Sequence, residues 1–348
     1  MYSIDEEETK ERKMKGRVSV MTGSRNMWGE AERLNLFRQE IMGIAAILIV
    51  VGHSQDFIVG CTPQLARMIG YGSVGINIFA FLSGIGLHHS MDKCQSVIHF
   101  YHRRICRVFL PYILITAVMT IPTIFFQSGG VKQYLLDLLC ISFWTQHRGA
   151  WYIAWLLPIC IVYPFIWRCE KSSRRNYFAS VVSILVSTFL AYLGESNTFL
   201  HEFRSVYSVT ISFFLGNMYT THVQSNKRTL WILLLGFIPT PFYALGVIKN
   251  DVFYVWTFAL FGIGLCALFA LILSLINRIN RVKWGLDKMG AVSLESYLTN
   301  IYLITLARRL FKGRIETGLG PVIYIGIVIV GLFLAMMINN EINRRVCN

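Results

Sequence analysis

The chain has 348 residues, of which 54% are apolar and only 15% charged, and its formal net charge is +14. A soluble domain carries about 25% charged residues, so a water-soluble globular enzyme is excluded. The positive charge would suit nucleic acid, but in a membrane protein a basic excess marks cytoplasmic loops, and no nucleic-acid partner is expected.

Residues 1–37 read as a polar cytoplasmic tail, acidic over Asp5–Glu8 and basic over Lys10–Arg17, disordered or lying on the membrane surface. They contain no short apolar core of the kind a secretion signal needs. Long apolar runs follow. They predict spans at 39–58, 73–91, 105–126, 151–167, 177–193, 206–221, 229–247, 252–276, 290–307 and 321–338. A span needs about 20 mostly apolar residues, and uninterrupted runs mean helices, which satisfy their own backbone in lipid. The segment 134–144 is apolar but short and contains Asp137, so it reads as a re-entrant or interfacial piece. The fold class is therefore an all-α polytopic integral membrane protein of about ten transmembrane helices. Its transmembrane domain covers 38–340, and a short cytoplasmic tail covers 341–348.

With the N-terminus inside, the inner segments hold 24 of the chain's 33 Lys and Arg. The positive-inside rule then places both termini in the cytoplasm of a multi-pass plasma-membrane protein. One segment disagrees. The stretch 308–320 falls outside yet carries Arg308, Arg309, Lys312 and Arg314. It is either a misplaced span or a basic patch facing an anionic glycan or a lipid headgroup.

The eight cysteines, Cys61, Cys94, Cys106, Cys140, Cys160, Cys169, Cys266 and Cys347, form no CxxC pair or other metal-ligand spacing. They read as small packing residues, and no metal is expected. No glycine-rich phosphate loop, zinc motif or nucleophile elbow is present.

His53 is the sharpest chemical feature. It lies twelve residues beyond Ile41, about 18 Å along a helix, past the middle of the first span. An ionisable side chain within a span is a functional candidate, and an imidazole can act as a general base. Asp56, at i+3, is expected to orient it. The plainer alternative is a histidine near a helix end bonded to a backbone carbonyl.

Arg103, Arg104 and Arg107 cover adjoining positions at the start of the third span. Guanidinium groups bind phosphate through paired hydrogen bonds. The plainer alternative is an anchor against lipid phosphates. Further polar groups stand inside other spans: Asn77 and Ser83 in the second, Trp151 at the start of the fourth, and Glu295, Ser296 and Asn300 in the ninth. A buried carboxylate faces a partner or a cavity, whereas Ser and Asn often serve helix–helix bonding.

Taken together these segments resemble the acyltransferase-3 family of membrane acyltransferases. Met42–Gln55, MGIAAILIVVGHSQ, is similar to the family's R-G-I-A-x-L-x-V-V-x-G-H segment. Gly72–His88, GSVGINIFAFLSGIGLH, resembles its G-V-x-x-F-F-x-L-S-G block. Arg103-Arg104-Ile105-Cys106-Arg107 matches its RRxxR motif. Trp151-Tyr152-Ile153, Phe213–Gly216 and Gly290–Leu298 resemble its W-[FY]-[IL], F-x-x-G and G-x-x-S-x-x-x-Y-L elements, in family order.

The resemblance implies an acyl-CoA donor from the cytoplasm, normally acetyl-CoA, with no bound cofactor. It implies an acceptor hydroxyl on a surface or lipid-linked glycan. His53 takes the catalytic position, and Arg103, Arg104 and Arg107 the donor-associated motif. Some relatives carry an extracytoplasmic hydrolase-like domain. None is visible here, so the chain acylates its acceptor itself or uses a separate extracytoplasmic transferase. The oligomeric state is not fixed by these features.

Two positions depart from the family pattern. Where the family often has arginine, eleven residues before the histidine, this chain has Met42. Arg38 lies one turn earlier on the same face and can extend along the helix toward the same place. The family's Y-L-x-H ending is here Tyr297-Leu298-Thr299-Asn300. Asn300 cannot carry a proton near neutral pH, so it has a positioning role at most. The rival reading is a transporter or flippase for a glycan or anionic solute. Inverted repeats and paired broken helices would mark it, and neither is seen in the sequence.

Overall fold

The computed structural model describes residues 34–58, 62–94, 96–122, 130–172, 177–222, 233–248, 250–276 and 280–345. Among the described residues it is 90% helical with no strands. In chain order the principal helices are α1 Arg38–His53, α2 Gly75–Lys93, α3 Val97–Arg104, α4 Leu110–Met119, α5 Gly130–Leu138, α6 Ile141–Gln146 and α7 Trp151–Ser172. They continue with α8 Phe178–Gly194, α9 Arg204–His222, α10 Asp251–Leu275, α11 Asn280–Ala291, α12 Ser293–Leu310 and α13 Gly320–Arg345.

Among the described residues, five helical segments are long and apolar enough to cross a membrane: Arg38–Phe57, Pro63–Lys93, Trp151–Lys171, Asp251–Leu275 and Lys312–Arg344. Their outward faces are apolar. On α13 alone, Val322, Ile325, Ile329 and Phe333 are exposed. Contiguous apolar surface of that extent is costly in water, so these faces meet lipid.

α9 and α12 fall short of that apolar standard for a physical reason. A helix that faces protein rather than lipid can carry polar groups, provided they are bonded. α9 packs against α2, α8 and α10, and its buried residues include Ser208, Ser212, Asn217 and Thr220. α12 packs against α1, α4 and α13 and buries Ser293, Glu295, Ser296, Thr299 and Asn300.

Close helix approach depends on small residues. A Cβ on Gly84 would run into the carbonyl of Phe213, and one on Gly216 into that of Phe81. The two glycines thus let α2 and α9 touch backbone to backbone. Gly43 and Gly290 do the same for α1 and α11. At that second contact Gln39 Nε2 donates to the Asp287 carbonyl at 3.1 Å.

Three expected spans differ in form. The described part of 229–247 includes a short 3-10 turn, Leu235–Phe237, and a six-residue helix, Pro239–Ala244. Pro239 and Pro241 lack the N–H that a continuous helix needs. The expected third span is not a regular helix either. A π turn, Ile105–Phe109, precedes α4, because Pro111 has no N–H to return to the carbonyl of Arg107. The last helix continues through residues 341–345.

The segment 134–144 lies across α5 and α6, of nine and six residues. Cys140 breaks them apart in the left-handed conformation, φ 59°. Each is too short to cross the bilayer. Asp137 is buried, accepting from Gln133 Nε2 at 3.0 Å, while its carbonyl accepts from the Tyr112 hydroxyl at 2.6 Å.

The expected polar tail lies outside the described residues except for 34–37, where Leu34 and Phe37 are buried in the core. Cys61, Cys347 and residues 346–348 also lie outside them.

Candidate active site

α1 carries the two ends of the site. Its first residue is Arg38 and its last is His53, fifteen residues and about 22 Å apart along the axis.

At the far end, His53 Nδ1 lies 2.8 Å from the carbonyl oxygen of Ile49. A carbonyl can only accept, so Nδ1 carries the hydrogen. In the neutral ring this leaves the lone pair on Nε2. His53 opens onto a pocket between α1 and α12, lined by Ile49, Ser296, Tyr297, Asn300 and Ile304 among others. Two polar atoms of its lining residues, Tyr297 Oη and Asn300 Oδ1, are buried without a hydrogen-bond partner. Asn300 is held from its other side, Nδ2 donating to the Ser296 carbonyl at 2.8 Å.

Asp56 does not orient His53. A 3-10 turn, Ser54–Phe57, follows the histidine, and Asp56 Oδ2 accepts from Arg308 Nη1 at 3.1 Å. Nδ1 is already occupied by Ile49, and the permanently charged guanidinium outcompetes imidazole for the carboxylate. This corrects the expected Asp56–His53 pair. The mouth is braced by a cluster of Phe57, Ile304, Ala307, Ile315 and Tyr324. There the Tyr324 hydroxyl donates to the Val50 carbonyl.

At the near end the arginines gather. Arg38 Nε donates to the Leu82 carbonyl at 3.2 Å. Its guanidinium lies over Gly86, where a Cβ would collide with it. Arg104 and Arg107 are near enough for their charges to act on Arg38. Arg104 Nη2 donates to Ser90 Oγ at 3.2 Å, and its guanidinium sits 5.4 Å from the Phe100 ring centre. Its Nε is buried with no partner. Among the described residues neither Arg38 nor Arg104 pairs with a carboxylate. Like charges gathered without a counterion form a site for an anion. Arg103 and Arg107 are exposed beside them.

Buried tyrosines connect the two ends. Arg38 also lies close to Tyr152. The Tyr152 hydroxyl lies 3.4 Å from Ser83 Oγ. Its ring meets that of Tyr297 edge-on, with centroids 6.1 Å apart, and Tyr297 lines the His53 pocket.

The remaining expected residues stand apart. Asn77 Nδ2 donates to Ser208 Oγ at 2.7 Å and Ser212 Oγ at 3.0 Å, joining α2 to α9. Glu295 Oε1 accepts from Asn339 Nδ2 at 3.0 Å, joining α12 to α13. Trp151 packs edge-on against Tyr152, centroids 6.3 Å apart.

A second buried network was not anticipated. Glu170 Oε1 accepts from the Ser180 amide at 3.0 Å and its hydroxyl at 2.6 Å, while Oε2 accepts from Asn217 Nδ2 at 2.7 Å. Because the carboxylate only accepts, the Asn217 amide is fixed, and its Oδ1 accepts from Tyr163 at 2.6 Å and His88 Nδ1 at 3.1 Å. The network ties α2, α7, α8 and α9 together. The signal in the sequence was Glu170, a carboxylate just past an apolar run.

Among the described residues no three His, Cys, Asp or Glu side chains converge as a metal site would require. A family model described as an acyltransferase domain matches residues 41–340, nearly the whole chain. No curated protein and no solved structure is significantly similar to the chain.

Proposed function

The chain belongs to the acyltransferase-3 family of membrane acyltransferases, and we propose that it moves an acetyl group from cytoplasmic acetyl-CoA to a hydroxyl of a surface or lipid-linked glycan. The observation that carries this reading is one helix with an unpaired arginine cluster at its start and a histidine at its end. The histidine opens on a pocket between α1 and α12.

In this reading the CoA phosphates lie against Arg38, Arg104 and Arg107, with Arg103 at the rim. The pantetheine arm passes Tyr152 and Tyr297 to bring the thioester to the pocket. His53 Nε2 takes the proton of the acceptor hydroxyl as its oxygen attacks the thioester carbonyl. The Tyr297 hydroxyl donates to the oxyanion that forms. The C–S bond then breaks, and the CoA thiolate takes the proton back from the imidazolium. The water-poor helical walls strengthen each of these charge interactions. Asn300 positions the pocket. Glu295, Asn77, Ser83 and Trp151 support the helices around it.

The proposed topology has ten crossings, with both termini in the cytoplasm of the plasma-membrane protein. In that topology the five long apolar segments are interspersed with the α4 region, α8, α9, α12 and the proline-broken segment 233–248, which crosses as short pieces in series rather than as one helix. The basic balance of the intervening segments supports this orientation.

The test is transfer of labelled acetyl from acetyl-CoA in membranes containing the protein, with thiol release followed in parallel. Transfer at the wild-type level by a folded His53→Ala variant would falsify the reading. Thiol release that depends on acceptor separates an acyltransferase from a transporter.

A further inference from the structure

The end of α12 and the segment after it hold Arg308, Arg309, Lys312 and Arg314, all exposed. Within 308–320 the only carboxylate is Glu316. This patch belongs to the mouth of the His53 pocket. Ile304 lines the pocket, and Arg308 lies one helical turn further on, about 6 Å. Arg308 also binds Asp56, three residues beyond His53. Ile315 packs with Phe57, Ile304 and Tyr324, which fixes the chain around Lys312 and Arg314 to the same end of the bundle.

Arg308 has its carboxylate. Arg309, Lys312 and Arg314 enter no ion pair among the described residues. Clustered like charges repel one another, and they concentrate anions at the mouth they surround. Guanidinium forks match carboxylate and phosphate oxygens in pairs.

We propose that the acceptor is an anionic glycan, bearing carboxylate or phosphate groups that Arg309, Lys312 and Arg314 hold while one of its hydroxyls enters the His53 pocket. This rests on the acyl-transfer reading and narrows its acceptor. The arginines at the start of α1 and this patch then serve two different anions at opposite ends of one helix.

The test is direct binding to the full chain in phosphatidylcholine nanodiscs, without acyl-CoA. The probes are tetragalacturonate, mannose 6-phosphate and neutral maltotetraose. At least one charged probe is expected to bind tenfold or more tightly than maltotetraose. That preference is expected to vanish at high salt and in R309Q/K312Q/R314Q, whose thermal midpoint matches the wild type. Carboxylate and phosphate recognition are distinguished by which charged probe is preferred. Equal binding of all three probes overturns the proposal, as does a preference that survives the triple substitution. A triple variant that loses only its preference for phosphatidylglycerol vesicles also overturns it, by making the patch a lipid anchor. Because no acyl-CoA is present, these outcomes stand apart from the His53→Ala transfer test, and either reading can fail alone.

Discussion

His53 is held by its own helix: Nδ1 donates to the Ile49 carbonyl one turn back, at 2.8 Å. The ring is oriented without a carboxylate, and Nε2 is the nitrogen left to accept a proton. His53→Ala and His53→Gln are therefore expected to lower acyl transfer by about 100-fold or more, with the thermal midpoint little changed because the ring is only partly buried. Labelled acyl transfer and a melting curve on the same preparation check this.

Asp56→Asn separates this arrangement from a Ser-His-Asp type of relay. There, loss of the carboxylate lowers turnover about 10⁴-fold. Here Asp56 pairs with Arg308, whose side chain is 56% exposed, and exposed pairs contribute about 0.2–1 kcal/mol. The expected outcome is kcat within about threefold of wild type and a small drop in midpoint. A fall of several orders of magnitude in kcat would contradict the geometry.

Arg38→Gln and Arg104→Gln are expected to raise KM for acyl-CoA by about 10–100-fold each, the size of a lost charge-assisted hydrogen bond, with a smaller change in kcat. The wild-type KM should rise with salt, and the variants should respond less. Arg104→Lys should restore the charge but not the two-pronged contact, and so recover only part of the affinity. Steady-state kinetics at two ionic strengths measure all of these effects.

Tyr297→Phe has opposite expected effects on folding and activity. The hydroxyl is buried with no partner, and such a group carries an unrecovered desolvation penalty of about 1–3 kcal/mol. Its removal should leave the midpoint unchanged or higher. Transfer should fall about tenfold or more, because the developing oxyanion loses a donor. A lower midpoint would mean that the hydroxyl is bonded in the folded protein.

Gly216→Val should act on folding alone. Its side chain would enter the backbone of α2 at Phe81, and forcing extra volume into a close-packed contact costs about 1–3 kcal/mol or more. A lower midpoint and less folded protein in detergent are expected, measured by fluorescence size exclusion.

Much of the architecture was legible because lipid demands apolar runs, and α1, α2, α7, α10 and α13 stand where those runs are. Proline limited the reading at 229–247, where a summed hydropathy does not register that Pro239 and Pro241 cannot continue a helix. At the candidate site, His53 stood out because an ionisable residue inside a span is rare, and the arginines because they match the RRxxR motif. The partners were not. Asp56 and Arg308 lie 252 residues apart, and local spacing favoured the nearer histidine. The tyrosine link was equally hidden, since Tyr152 and Tyr297 look like ordinary membrane aromatics until α7 and α12 are packed. The Glu170–Asn217–His88 network depends on four helices meeting, which no single segment reveals.

Arg38 and His53 share one continuous helix, and this makes α1 a ruler as well as a wall. Inserting a single residue between them would turn one end against the other by about 100°, so neither could face its present neighbours while the other did. A four-residue insertion would nearly restore the phase but lengthen the gap by about 6 Å. The spacing between the arginine cluster and the histidine is thus written into the residue count of α1, and in the proposed reaction a donor with a longer or shorter arm between its phosphates and its thioester would be out of step with it.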